Sequence, residues 1–120
     1  DPANPDWQRA FARAREGGGH VEYYRPGRRG AALTAYTEAM TVYDRLAAAD
    51  PVNTEWQVGW VRAAASAAEC LAWEEQYPAA RTLLNELIPR ARLLHETDPT
   101  NGRRLTEYQR AQLSLLSVEQ

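Results

Sequence analysis

One short phrase recurs three times in this chain and constrains its architecture more than anything else in it. Asp1-Pro2-Ala3-Asn4 precedes Asp6-Trp7-Gln8, and Asp50-Pro51-Val52-Asn53 precedes Glu55-Trp56-Gln57. Asp98-Pro99-Thr100-Asn101 returns without the tryptophan. The leading aspartates lie 49 and then 48 residues apart. A fixed period of this size points to stacked repeats rather than to one closed globule.

Each phrase is helix punctuation. The residue before a proline is pushed out of the α region, so Asp-Pro ends the preceding helix. The asparagine then suits an N-cap, its side chain accepting from early amide protons. Pro5 fits a first helical turn, and Asp6 and Glu55 set negative charge against the positive end of the helix dipole. Within each period a second break falls at Arg25-Pro26-Gly27 and near Gln76-Tyr77-Pro78. The segments between carry apolar residues at three- and four-residue steps. Five helices are therefore predicted, at about 4–24, 28–48, 53–75, 77–96 and 101–118. They form one all-α domain over 1–120, with a first repeat at about 1–49, a second at about 50–97 and a C-terminal capping helix at about 98–120. Gly17-Gly18-Gly19 weakens the first helix and Pro89 the fourth. Each reads either as an irregularity tolerated by packing or as a hinge.

Composition narrows the function classes. Apolar residues make up 44% of the chain, enough for a core, and the net charge of −2 gives no general attraction to nucleic acid or membrane. All 14 basic residues are arginine. The lone Cys70 lies in an apolar helical run with no metal-ligand spacing around it. No stretch approaches the ~18 apolar residues of a membrane span, and no signal peptide opens the chain, so a cytoplasmic location is expected. The chain lacks an initiator Met and starts inside a copy of the phrase, which suggests a piece of a longer protein.

Gly27-Arg28-Arg29-Gly30-Ala31-Ala32-Leu33-Thr34-Ala35-Tyr36 resembles the turn and second-helix start of a tetratricopeptide repeat. Ala32, Tyr36 and Ala39 fit the family's small–aromatic–small pattern, as do Ala80, Leu84 and Leu87 one period later. Ala64, Ala67, Ala68 and Leu71 fall where its first helix has Trp, Leu, Gly and Tyr, and Asp-Pro-x-Asn stands at its helix-ending proline. The period exceeds the family's usual 34 residues, as in long-helix arrays fused to bacterial signalling or defence proteins. The resemblance implies an antiparallel helix-turn-helix array, wound as a right-handed superhelix, that binds a protein or peptide.

Aligning the copies gives three recurring positions. Phe11, Trp60 and Tyr108, and likewise Ala14, Ala63 and Ala111, read as core and close-packing residues. Arg13, Arg62 and Arg110 form a ladder that the resemblance places on the concave face. The same carry-over adds Glu16, His20, Tyr23 and Tyr24, then Ala65, Glu69, Ala72 and Trp73, then Leu113 and Ser117. Such a row can grip an acidic peptide through forked hydrogen bonds and stacking. It can equally pair with Glu16, Glu69 and Glu107 as surface ion pairs. No catalytic constellation, metal set or cofactor loop is recognisable. His20 and His95 are the only histidines, and Glu69, Glu74 and Glu75 read as a solvated helix end. Tyr23-Tyr24-Arg25 with Arg28-Arg29 is a compact patch, but the overall charge argues against nucleic acid. Two functions remain: a non-catalytic scaffold or sensor module for a protein or peptide partner, or a structural spacer that self-associates.

Overall fold

The computed structural model describes residues 4–119. Asp1, Pro2 and Ala3 of the first phrase lie outside the described residues, as does Gln120. Five helices follow one another: α1 (Pro5–Tyr23), α2 (Arg29–Ala49), α3 (Thr54–Trp73), α4 (Tyr77–Thr97) and α5 (Gly102–Glu119). Each packs on the next, and α3 also touches α5, giving an all-α helical array with α3 at its centre. No strand occurs among the described residues.

The phrases cap helices as their chemistry predicts. Asn4 Oδ1 accepts from the amides of Asp6 and Trp7, Asn53 Oδ1 from Glu55, and Asn101 Oδ1 from Arg103 and Arg104. In the second and third phrases the asparagine amide also donates to the aspartate carbonyl, Asn53 to Asp50 at 3.2 Å and Asn101 to Asp98 at 3.0 Å. The mid-period breaks differ from each other. Gly27 takes a positive φ of 74° in the first. In the second, α3 ends in a Schellman motif: the Gln76 amide donates to Leu71 O at 2.9 Å and the Glu75 amide to Ala72 O at 3.1 Å. This puts Glu75 at φ 58°, a left-handed conformation that favours glycine.

Neither weak spot breaks its helix. Pro89 lies on the exposed side of α4, and α1 runs unbroken through Gly17-Gly18-Gly19. The three glycines are not alike. A Cβ on Gly17 or Gly18 would meet nothing within 4 Å, whereas one on Gly19 would stand 2.8 Å from Tyr36 Cε1. Gly59 does the same for α3, where a Cβ would stand 2.5 Å from Tyr43 Cε1. Two tyrosines of α2 thus seat against bare backbone, Tyr36 on α1 and Tyr43 on α3. Such close approach is the usual reason for glycine inside a helix.

The core runs along the small-residue face of α3, where Ala63, Ala64, Ala67, Ala68 and Cys70 are buried, and continues into Leu84, Leu87 and Ala91 of α4. Trp60 is buried, with the Arg90 guanidinium 3.4 Å from its ring centroid. Asp44 of α2 also holds Arg90, at 2.8 Å. The recurring core positions are not equally covered. Trp60, Ala63 and Ala111 are buried and Tyr108 is half-buried, but Phe11 and Ala14 are exposed. α3 lies between α2 and α4, whereas α1 has a large contact with α2 only.

Candidate functional site

Burial separates the three ladder arginines. Glu16 of α1 is 5% exposed and takes both arms of Arg62. Nε donates to Oε2 and Nη2 to Oε1, each at 2.8 Å. The Tyr43 hydroxyl donates to Glu16 Oε1 at 2.5 Å and receives Arg62 Nη2 at 3.1 Å. One carboxylate, one phenol and one guanidinium therefore tie α1, α2 and α3 together in a forked, charge-assisted network. Burial first, then the neighbouring Glu16 carboxylate, pushes the Tyr43 hydroxyl up to about 12. The Arg62 guanidinium is held above its ordinary range by its bonds to Glu16. Arg110 contacts Glu69 across α5 and α3 and lies 3.7 Å from Glu107. Arg13 is exposed, with Glu55 at 3.9 Å. All three ladder arginines thus have a carboxylate partner, and Arg13, 63% exposed along its side chain, is the most open of them.

The remaining candidate residues gather at one end of the array. Tyr23 and Tyr24 meet edge to face with ring centroids 5.1 Å apart. The Arg29 guanidinium lies 4.4 Å from the Trp73 ring centroid and 5.6 Å from that of Tyr23, bridging α1, α2 and α3. Tyr24 is 83% exposed and Trp73 60%. His20 stands one turn before Tyr24, its Nδ1 hydrogen bonded to the Tyr36 hydroxyl at 2.5 Å. Glu69 lies one turn before Trp73 on the same helix. Burial raises the Tyr23 and Tyr36 hydroxyls above their ordinary range. The basic side chains of this end are partly neutralised, since Glu22 holds Arg28 at 2.7 Å and Arg25 at 3.8 Å. The bond from Arg28 holds the Glu22 carboxyl below its usual range. A phosphate-gripping surface would leave these cations free, whereas a surface for stacking and apolar contact does not need them free.

Cys70 is fully buried, and burial pushes its thiol up to about 11. Among the described residues no three His, Cys, Asp or Glu side chains come together that could hold a metal ion. No helix among them is long and apolar enough to cross a membrane.

Sequence reasoning missed Tyr43 and Gly59, and placed Arg29 beside Tyr23 and Tyr24 without its contact to Trp73. Gly59 could have been found from the register, because it is a lone glycine at the position that Ala10 holds in the first copy. A second feature at the far end of the array also escaped it: a cleft of about 220 Å³ lined by Val58, Val61, Arg62, Ala91, Leu94, Asn101, Arg103, Arg104 and Glu107. The missing tryptophan of the third phrase was its signal. Compared with protein families, curated proteins and solved structures, the chain finds no match.

Proposed function

We propose that the chain is a non-catalytic module of the tetratricopeptide type that binds a protein or peptide partner, as a scaffold or sensor segment of a larger bacterial signalling or defence protein in the cytoplasm. The carrying observation is a pair of exposed aromatics at one end of the array: Trp73, whose ring the Arg29 guanidinium covers, and Tyr24, which meets Tyr23 edge to face. Large aromatic and arginine side chains dominate binding energy at interfaces, and here stacking already holds them in place. An acidic partner segment would compete with Glu55 and Glu22 for Arg13 and Arg25, whose side chains are each 63% exposed. The test is capture from lysate on the wild-type chain beside a Tyr24→Ser/Trp73→Ser variant, both positions being exposed enough to leave the fold intact. A partner held by the first and lost by the second supports the reading. Equal retention by both removes this surface from it.

Self-association is the second reading, favoured by a different observation. Trp7 and Phe11 of α1 stack at 5.8 Å beside Glu38, Thr41 and Val42 of α2, with Trp7 55% exposed, and Leu113 and Leu116 are exposed on α5. Apolar ends of this kind can bury one another. Sedimentation equilibrium over a hundredfold range of concentration decides it: a constant monomer mass rules it out, and a mass that rises for the wild type but not for Trp7→Ser supports it.

A further inference from the structure

The cleft at the α3–α4–α5 seam has a filled counterpart in the same molecule. Carrying its lining back by one period reaches the α1–α2–α3 seam. There Trp56 stands where Arg104 does, Tyr43 where Ala91 does, and Gly59 where Glu107 does. Both aromatics are buried, Tyr43 seated on Gly59 and Trp56 with the Arg9 guanidinium 6.0 Å from its ring centroid. The second seam has exchanged two rings for an alanine and an arginine. Its floor of Val58, Val61, Ala91 and Leu94 remains apolar, while Arg104 turns aside to donate to Leu94 O at 3.1 Å and Thr97 Oγ1 at 3.3 Å. One wall carries a buried carboxylate oxygen, Glu107 Oε2, that has no hydrogen-bond partner. Leaving such an acceptor unmatched is costly, and an incoming donor relieves it. At the rim Arg103 is exposed and makes no ion pair among the described residues.

We propose that this cleft takes up one tryptophan or tyrosine side chain of a partner peptide. The ring replaces the missing aromatics over the apolar floor. The Glu107 carboxylate turns to present Oε2 to the ring's N–H or O–H, and a neighbouring carboxylate of the peptide meets Arg103. The volume suits a single side chain, below the roughly 300–1,000 Å³ of sites for drug-sized ligands. An anchoring aromatic in a desolvated pocket is how many interfaces concentrate their affinity. The inference rests on the peptide-binding reading but uses the opposite end of the array from Tyr24 and Trp73.

The test titrates the full ¹⁵N-labelled chain with N-acetyl-tryptophan, N-acetyl-tryptophanamide and N-acetyl-phenylalanine. Saturable amide shifts are expected at Val58, Ala91, Leu94, Arg104 and Glu107, with a midpoint in the millimolar range, on the order of 1 mM. The amide, which lacks the carboxylate, binds about threefold more weakly, in keeping with one exposed charge pair. The phenylalanine probe, which lacks the donor, is weaker by about tenfold. Arg104→Trp restores the ring of the first seam and abolishes the shifts. Glu107→Leu keeps the cleft open and erases the preference for tryptophan over phenylalanine. The proposal is overturned by the absence of saturable shifts at these amides up to about 10 mM, by equal binding of the tryptophan and phenylalanine probes to the wild type, or by undiminished binding to folded Arg104→Trp. Such a failure alongside intact partner capture through Tyr24 and Trp73 would remove the cleft and leave the binding reading standing.

Discussion

Replacing Gly17, Gly18 and Gly19 one at a time by alanine separates backbone propensity from packing within three adjacent residues of one helix. Alanine gains about 1 kcal/mol over glycine in a helix interior. At Gly17 and Gly18 the new methyl meets nothing within 4 Å, so that gain is realised in full. For a chain of 120 residues, 1 kcal/mol moves the midpoint of thermal unfolding by about 4 °C. Each of these two variants should therefore melt about 2–4 °C higher. At Gly19 the same backbone gain meets a methyl placed 2.8 Å from Tyr36 Cε1 and 3.0 Å from Cδ1 and Cζ. That ring cannot withdraw freely, because Tyr36 is buried and its hydroxyl is tied to His20 Nδ1 at 2.5 Å. Overpacking costs about 1–3 kcal/mol, which cancels or outweighs the gain. Gly19→Ala should melt between about 0 and 8 °C below the wild type. Circular dichroism at the helical band, followed through thermal unfolding, reads all three. A Gly19→Ala variant stabilised as much as Gly17→Ala would show that Tyr36 is not pressed against α1, and would refute the reasoning.

Four further outcomes are expected. Glu75→Gly relieves the left-handed backbone at the end of α3 and should stabilise by about 0.5–1 kcal/mol in urea unfolding. Arg62→Ala strands the Glu16 carboxylate, 5% exposed, with a single remaining donor. It should cost about 2–3 kcal/mol, below the 3–5 of fully buried pairs because Arg62 reaches solvent, and Glu16→Leu/Arg62→Leu should recover most of the loss in the same unfolding assay. Tyr43, pushed up to about 12, keeps its proton when folded while the unfolded residue loses it near pH 10. Stability is therefore intact below pH 10 and falls from about pH 10 to 12, and Tyr43→Phe flattens that fall in alkaline unfolding curves. Cys70, fully buried with its thiol pushed up to about 11, should resist a disulfide-exchange reagent at neutral pH and react at once after unfolding in denaturant.

The helices were legible because their boundaries are local chemistry. Asp-Pro stops a helix and Asn starts one wherever they stand, so α3 and α5 begin within a residue or so of the predicted positions. The small-residue face of α3 was legible for a similar reason, since alanines at three- and four-residue steps bury whichever neighbour arrives. The fate of the ladder was legible only as one of two readings: Glu16, Glu69 and Glu107 were recognisable as ion-pair partners, but not which arginine each would meet. Arg13, Arg62 and Arg110 occupy the same register, yet what each meets depends on where the neighbouring helix happens to carry a carboxylate. Glu16 falls opposite Arg62 and Glu69 opposite Arg110, and only the crossing of the helices reveals it. The exposure of Phe11 and Ala14 has a similar origin: periodicity marks a core face but does not say how much of it a neighbour covers. The glycines escaped because propensity treats them as weak points, whereas two of them are seats for tyrosine rings. The cleft was half written in the sequence, in the phrase that returns without its tryptophan. Its meaning appears only when Ala91 is seen to stand where Tyr43 stood.

The most direct test of the claim that this surface binds peptide is selection from a displayed random peptide library, run in parallel on the wild-type chain and on Tyr24→Ser/Trp73→Ser. The expected result is enrichment on the wild type of peptides that combine acidic and aromatic residues, with binding lost on the variant while its thermal midpoint is unchanged. No enrichment over an unrelated helical protein, or enriched peptides that bind both chains equally, would contradict it.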